Sequence, residues 1–324
     1  MSRAIKNRLL LAAKLAISVL TLWMTARSIV WRDVAGIFAR LQPGWVIVAL
    51  LMFWVAQIVS SLRCAYLARA LGGDLSLPLS VRAHFLGLWF NQLLPTSLGG
   101  DIVKLAVLTR PVGASIALRA CILDRLSGLV FLMVVVVLTI PLYDRLLPHD
   151  SMAVGLALLS TGFLAALVFC AWASTYLRTR FGEKPIVIKL TQLFSDIWTL
   201  RKTVYLGQQA WTSAIVHFNG IVVYTLLGVS MNIQVDMLQF LLIVPLVFLV
   251  ALLPISFAGW GVREAGAVWL FGLVGFDNTN ALAISIAFGL LLFTAALPGA
   301  ILLIFSKDVE EYVRILRWGP KPKK

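Results

Sequence analysis

Two stretches of this chain carry one unusual set of residues. Residues 93–104 read LLPTSLGGDIVK and residues 252–263 read LLPISFAGWGVR. In register both give Leu-Leu-Pro-x-Ser-x-x-Gly-x-x-Val followed by a base, Lys104 in one and Arg263 in the other. Pro95 and Pro254 each remove a backbone donor and disfavour helix in the residue before them. Gly99, Gly100, Gly259 and Gly261 allow the turn that follows, and Ser97 or Ser256 is placed to cap the helix that resumes. A helix that starts in this way presents free N–H groups and a positive dipole end. With Lys104 or Arg263 about one turn inside, the chemistry on offer is binding of an anionic group such as a lipid phosphate. The alternative is a structural hairpin whose glycines only let backbones approach closely.

Other groups join this set. Asn91 and Gln92 precede the first proline, to line the same cavity or to satisfy hairpin backbone. Asp101 falls in the first turn after the glycines, where an acid also simply favours the dipole. Asp124, Arg125 and Glu264 lie in apolar stretches, where a charge at mid-membrane costs about 2.5–3.5 kcal/mol on insertion scales. Asp124 and Arg125 are neighbours and point about 100° apart on a helix. The expectation is that Asp124 pairs with a base such as Lys104 while Arg125 faces the substrate cavity; an interhelical salt bridge is the structural alternative. Arg63, near one end of its helix, is expected to snorkel. No catalytic constellation, metal-ligand spacing or cofactor motif is expected: His84, His149 and His217 are scattered, Cys64, Cys121 and Cys170 lie in apolar runs, and no phosphate-binding P-loop is present.

The elements that position these residues belong to a membrane. Of 324 residues 60% are hydrophobic and 13% charged, against about 25% charged in a soluble domain. About 20 apolar residues make a crossing, and six candidates are found: Leu9–Ser28, Gly44–Leu67, Ser115–Ile140, Met152–Tyr176, Trp211–Val229 and Asn280–Phe305. The net charge is +14, and bases stand at both ends, with Arg3, Lys6 and Arg8 before the first run and Lys307, Arg314, Arg317, Lys321, Lys323 and Lys324 after the last. The positive-inside rule then puts both termini in the cytoplasm. Such basic ends set topology and meet anionic lipid; no basic patch with interleaved aromatics points to nucleic acid. Trp31, Val34, Phe38 and Leu41, and again the stripe from Ile186 to Trp198, are spaced as helices lying on the membrane surface.

With six crossings, the first proline-broken segment enters and leaves on the inner side and the second on the outer side. Similar sequence facing opposite ways marks an inverted-topology repeat. The expected fold is therefore an all-α multi-pass membrane protein, with about six full crossings plus two re-entrant helical hairpins in an inverted-repeat arrangement. It forms one integral membrane domain over 1–324, with pseudo-repeat halves of about 1–150 and 151–324.

FNQLLPTSLGGDIVK, then ILDRLSGL, then LLPISFAGWGVREAG, in this order, resemble the lysylphosphatidylglycerol synthase transmembrane-region family, also called the flippase-like domain family. The resemblance implies the membrane half that moves a modified lipid between leaflets. No aminoacyl-transferase domain is expected after the last crossing, which removes lipid synthesis and leaves the lipid open. The expectation is a lipid translocase, not an enzyme, in a bacterial plasma membrane. Its partners would be membrane lipids, anionic ones above all, with a second copy of the chain or a lipid-modifying enzyme beside it. A membrane enzyme on lipid-linked substrates, a transporter of a small anionic solute and a non-catalytic scaffold subunit are the rival readings.

Overall fold

A computed structural model of the chain describes residues 31–94, 99–146, 150–181, 191–197, 203–253 and 258–305, with Ser256 and positions 15, 16, 18–21, 23 and 27. Every regular element among the described residues is an α-helix. In chain order they are α1 (Trp31–Ala39), α2 (Pro43–Ala70), α3 (Leu77–Leu93), α4 (Gly99–Val112), α5 (Ala114–Leu146), α6 (Asp150–Phe181), α7 (Thr203–Ser230), α8 (Met237–Ala251), α9 (Val262–Leu273) and α10 (Asn278–Ile304). A further helical segment occupies 191–197.

Five stretches are long and apolar enough to cross a membrane: Pro43–Ala70, Ala114–Leu142, Val154–Arg180, Val204–Ser230 and Asn278–Ile304. They correspond to five of the six expected crossings, and the sixth, Leu9–Ser28, falls largely outside the described residues. α6 leaves Val168, Phe169 and Trp172 exposed, as a lipid-facing helix does. α1 forms where the Trp31–Leu41 stripe predicts a surface helix, with Val34 buried.

Besides the surface helix α1, four of the described helices are too short to cross. α3, α4, α8 and α9 have 17, 14, 15 and 12 residues, whereas about 20 are needed at 1.5 Å each. They are the arms of the two predicted breaks. α3 stops at Leu93 and α4 starts at Gly99. α8 stops at Ala251, and α9 starts only at Val262.

The described residues gather into two compact units. One draws on Met1–Ile58, Val81–Val107 and Phe218–Lys324, the other on Val59–Ser80 and Leu108–His217. Both breaks lie in the first unit. There α8 packs on α9 and α9 on α10. Asp236 caps α8 by accepting from Leu238 N (2.8 Å) and Gln239 N (3.3 Å), and Asp277 caps α10 by accepting from Asn280 N (2.8 Å). Aromatic rings fill the space between: Tyr224 meets Phe288 at 4.6 Å and Phe240 meets Phe271 at 4.9 Å. In the second unit α5 packs along α6.

Candidate functional site

The first hairpin closes on glycine. A Cβ at Gly100 would overlap the carbonyl oxygen of Gly87 in α3, so these two backbones touch. The Asn91 side chain turns back, and its Oδ1 accepts from Gly100 N at 2.7 Å. A carboxamide of α3 thus satisfies a free amide at the start of α4, one of the four that every helix start leaves. Lys104 follows in the second turn of α4 and is 4% exposed, with its Cβ beside Gly87. Asp101 lies in the first turn, as expected, and Gln92 and Gly99 flank the break. Ser97 lies outside the described residues.

The second hairpin resolves differently. Ala258, Gly259 and Gly261 have φ of 50°, 83° and 86°. These left-handed residues keep 258–261 in turns and delay α9 until Val262. Arg263 is therefore the second helical residue, whereas Lys104 at the matching motif position is the sixth. The start of α9 is filled from within. Glu264 reaches back, its Oε2 accepting from Gly261 N at 2.7 Å, the half of a capping box that a glycine N-cap allows. Its Oε1 accepts from Arg263 Nε at 3.0 Å and from Arg263 Nη2, with the Ser285 hydroxyl 3.5 Å away. The Arg263 guanidinium is 5.0 Å from the Trp260 ring centre and 5.8 Å from that of Phe288. Arg263, Glu264 and Ser285 are 3%, 0% and 0% exposed. A fully buried ion pair with aromatic walls stands where the sequence predicts an open anion site. Ser256 is buried too, and its hydroxyl has no hydrogen-bond partner among the described residues.

α10 seats both hairpins. A Cβ at Gly299 would overlap the carbonyl of Phe85 in α3, and one at Gly289 would overlap the Arg263 guanidinium and sit 2.6 Å from the Trp260 ring. Trp89 of α3 also meets Phe293 of α10 at 5.9 Å. Two glycines on one long helix thus take the backbone of α3 and the side chains of Trp260 and Arg263.

Asp124 and Arg125 belong to the second unit. Asp124 is 5% exposed and accepts from Arg63 Nε at 2.8 Å, while Arg63 Nη1 donates to Ser213 Oγ at 3.0 Å. Arg63, expected to snorkel, is instead 5% exposed in this interhelical salt bridge. The cause is the cost of an uncompensated acid at Asp124, which a guanidinium at hydrogen-bond distance removes. Arg125 is exposed, so the neighbours do point apart. His217 stacks on Phe131 at 5.6 Å in the same unit. From near the ends of their spans, Arg119 grips Asp196 at 2.9 and 3.0 Å and Arg178 donates to Thr191 at 2.8 Å, which holds the 191–197 segment. Burial raises the Asp196 carboxyl above its ordinary value; the hydrogen bond and charge of Arg119 and the charge of Arg178 pull it down.

The family signature described as "Lysylphosphatidylglycerol synthase TM region" matches residues 11–299, which takes in both hairpins, the described crossing helices up to the last turn of α10, and Arg63–Asp124. The chain belongs to that family. No curated protein sequence gives a significant match. The chain is thus a multi-pass helical membrane protein of the lysylphosphatidylglycerol synthase TM-region family. The sequence missed Trp260, Ser285, Tyr224 and Phe288 around the Arg263–Glu264 pair. Ser285, one of two hydroxyl residues in the apolar run of α10, was the signal available.

Proposed function

We propose that this protein is a lipid translocase, which moves a lipid with an anionic or phosphate-bearing head group between leaflets of a bacterial plasma membrane. The observation that carries the reading is the pair of motif-derived hairpins on α10, each holding a buried base beside a capped helix start. Both hairpins are read as re-entrant, from opposite faces, in an inverted repeat with cytoplasmic termini.

The head group passes between the hairpins while its tails stay in the bilayer. At the second hairpin Glu264 is an internal anion at the amide of Gly261 and the guanidinium of Arg263. It keeps Arg263 compensated while no lipid is bound, because an unpaired charge there costs about 3–5 kcal/mol. An arriving phosphate replaces Glu264 on the same donors, so charge near Arg263 changes little through the exchange. The buried Ser256 hydroxyl offers one more contact. At the first hairpin the Asn91 cap is neutral, and the base is Lys104. The chain transports lipid and leaves it chemically unchanged. Its partners are membrane lipids, with a second copy or a lipid-modifying enzyme as companion; nucleic acid plays no part.

The test is leaflet exchange of labelled lipids in vesicles holding the purified chain, with a head-group panel and mass analysis of the recovered lipid. Phosphatidylglycerol should exchange faster than in empty vesicles and return unaltered, and Lys104→Gln and Arg263→Gln should each slow it about tenfold or more. Altered lipid would make the chain an enzyme. Uptake of a soluble anion without lipid exchange would make it a solute transporter, and neither activity a scaffold.

A further inference from the structure

At one end of the first unit a polar cavity of about 400 Å³ opens where α1, the α7–α8 turn and the α9–α10 turn meet. Arg40 supplies its cation, and Asn232, Gln234, Gln239, Asp277 and Asn280 supply amides and a carboxylate. Asn232 Oδ1 accepts from Gln42 at 2.9 Å, which leaves its amide hydrogens to donate, and Gln239 Nε2 donates to Val274 O at 3.2 Å, which leaves its oxygen to accept. Further along the same helices lies a second cavity of about 220 Å³ with an apolar lining that includes Phe38, Leu41, Leu50, Leu227 and Leu291.

The two are lined from the same elements, though by different residues. In α1 Ile37 lines the polar cavity and Phe38 the apolar one, the offset of about 100° that adjacent helical residues have, and Arg40, just past the end of α1, lines the polar cavity. In α10 Asn280 lines the first and Leu291 the second. Eleven residues separate them, about 16 Å of helix, close to half of the roughly 30 Å hydrocarbon core. Gln42 fixes the offset, since its N–H donates to Ser230 O at 2.7 Å while its side chain holds Asn232. An amide-rich cup with one cation, Arg40, and one carboxylate, Asp277, above an apolar cavity on the same helices offers separate seats to the two ends of one membrane lipid.

We infer that this cup and groove bind a single phosphodiester lipid, its phosphate at Arg40, its hydroxylated head group on the amides and one acyl chain along Phe38, Leu50 and Leu291. The site goes beyond the translocase reading, because binding here needs no transport. It is a place where a lipid rests at the membrane face, apart from the hairpin bases.

The probe is phosphatidylglycerol with a photoreactive group midway along one acyl chain, at trace level in vesicles holding the full chain. Cross-links mapped by mass spectrometry should concentrate on groove residues over Phe169 and Trp172, which are exposed on α6. Unlabelled phosphatidylglycerol should compete and diacylglycerol should not. Arg40→Gln should lower groove labelling about fivefold, and Leu290→Trp, at a lining position 51% exposed, should block it. Labelling spread evenly over lipid-facing helices would overturn the inference. So would groove labelling indifferent to both variants, or competition by soluble glycerol phosphate alone. Leaflet exchange in the same vesicles separates the two claims. Focused cross-links without exchange sink the translocase and keep the site; exchange without focused cross-links does the reverse.

Discussion

The two hairpins carry one residue pattern and differ in what fills the start of the returning helix. In the first, a neutral carboxamide, Asn91, takes the Gly100 amide, and the base stands in the second turn. In the second, a carboxylate, Glu264, takes the Gly261 amide and also holds Arg263. A matching residue pattern therefore sets a helix break but not its electrostatics. The difference comes from a few backbone angles: Ala258, Gly259 and Gly261 turn left-handed and push the start of α9 four motif positions later than that of α4.

That contrast is open to direct attack, and the largest effect should come from Glu264→Ala. It strands a buried guanidinium and should cost about 3–5 kcal/mol, read as lost thermal stability in detergent. Glu264→Gln should recover part of this by keeping an acceptor for Gly261 N. Asn91→Ala, the counterpart in the first hairpin, should cost about 0.5–2 kcal/mol, as a lost cap does. If the two alanine variants cost the same, the electrostatic contrast is wrong.

Next come the close contacts. Gly100→Ala drives a methyl into the Gly87 carbonyl, which is backbone and has nowhere to go, whereas Gly266→Ala meets the Val250 side chain at 2.8 Å. The first should cost about 1–3 kcal/mol, as overpacking does, and the second less, because a valine rotamer can turn. A smaller effect is expected at Gly259, where φ is 83° and a Cβ would meet nothing within 4 Å. Gly259→Ala should cost about 1–2 kcal/mol from conformation alone, and Gly259→Asn less, since asparagine tolerates this region.

Much of the fold was legible because membrane spans follow from length and apolarity. Pro43–Ala70 and Asn278–Ile304 stand where apolar runs of about 20 residues predict them. The two helix breaks were legible from proline and glycine, whose constraints on the backbone are local. The charges were less so. Arg63 looks on sequence like a residue near a helix end, and only three-dimensional packing puts its guanidinium 2.8 Å from Asp124. Arg263 and Glu264 are adjacent and should diverge on a helix, yet at the first turn both side chains curl back to one point. Pattern reading assigns side chains to faces and cannot follow them around a helix start. Ser285 and Trp260 reach the pair from elements whose approach depends on Gly289, a residue that carries no chemical signal of its own.

The central claim, that the hairpins enter from opposite faces, is tested most directly by sidedness. Between the turn that precedes α3, at Asp74, and the turn that precedes α8, at Gln234, three of the described helices are long and apolar enough to span, an odd number. In sealed vesicles of a variant with Cys64, Cys121 and Cys170 replaced by serine, an impermeant thiol reagent should label Asp74→Cys from one side and Gln234→Cys only from the other. Labelling of both from the same side would contradict the inverted arrangement and, with it, the opposed hairpins on which the translocase reading stands.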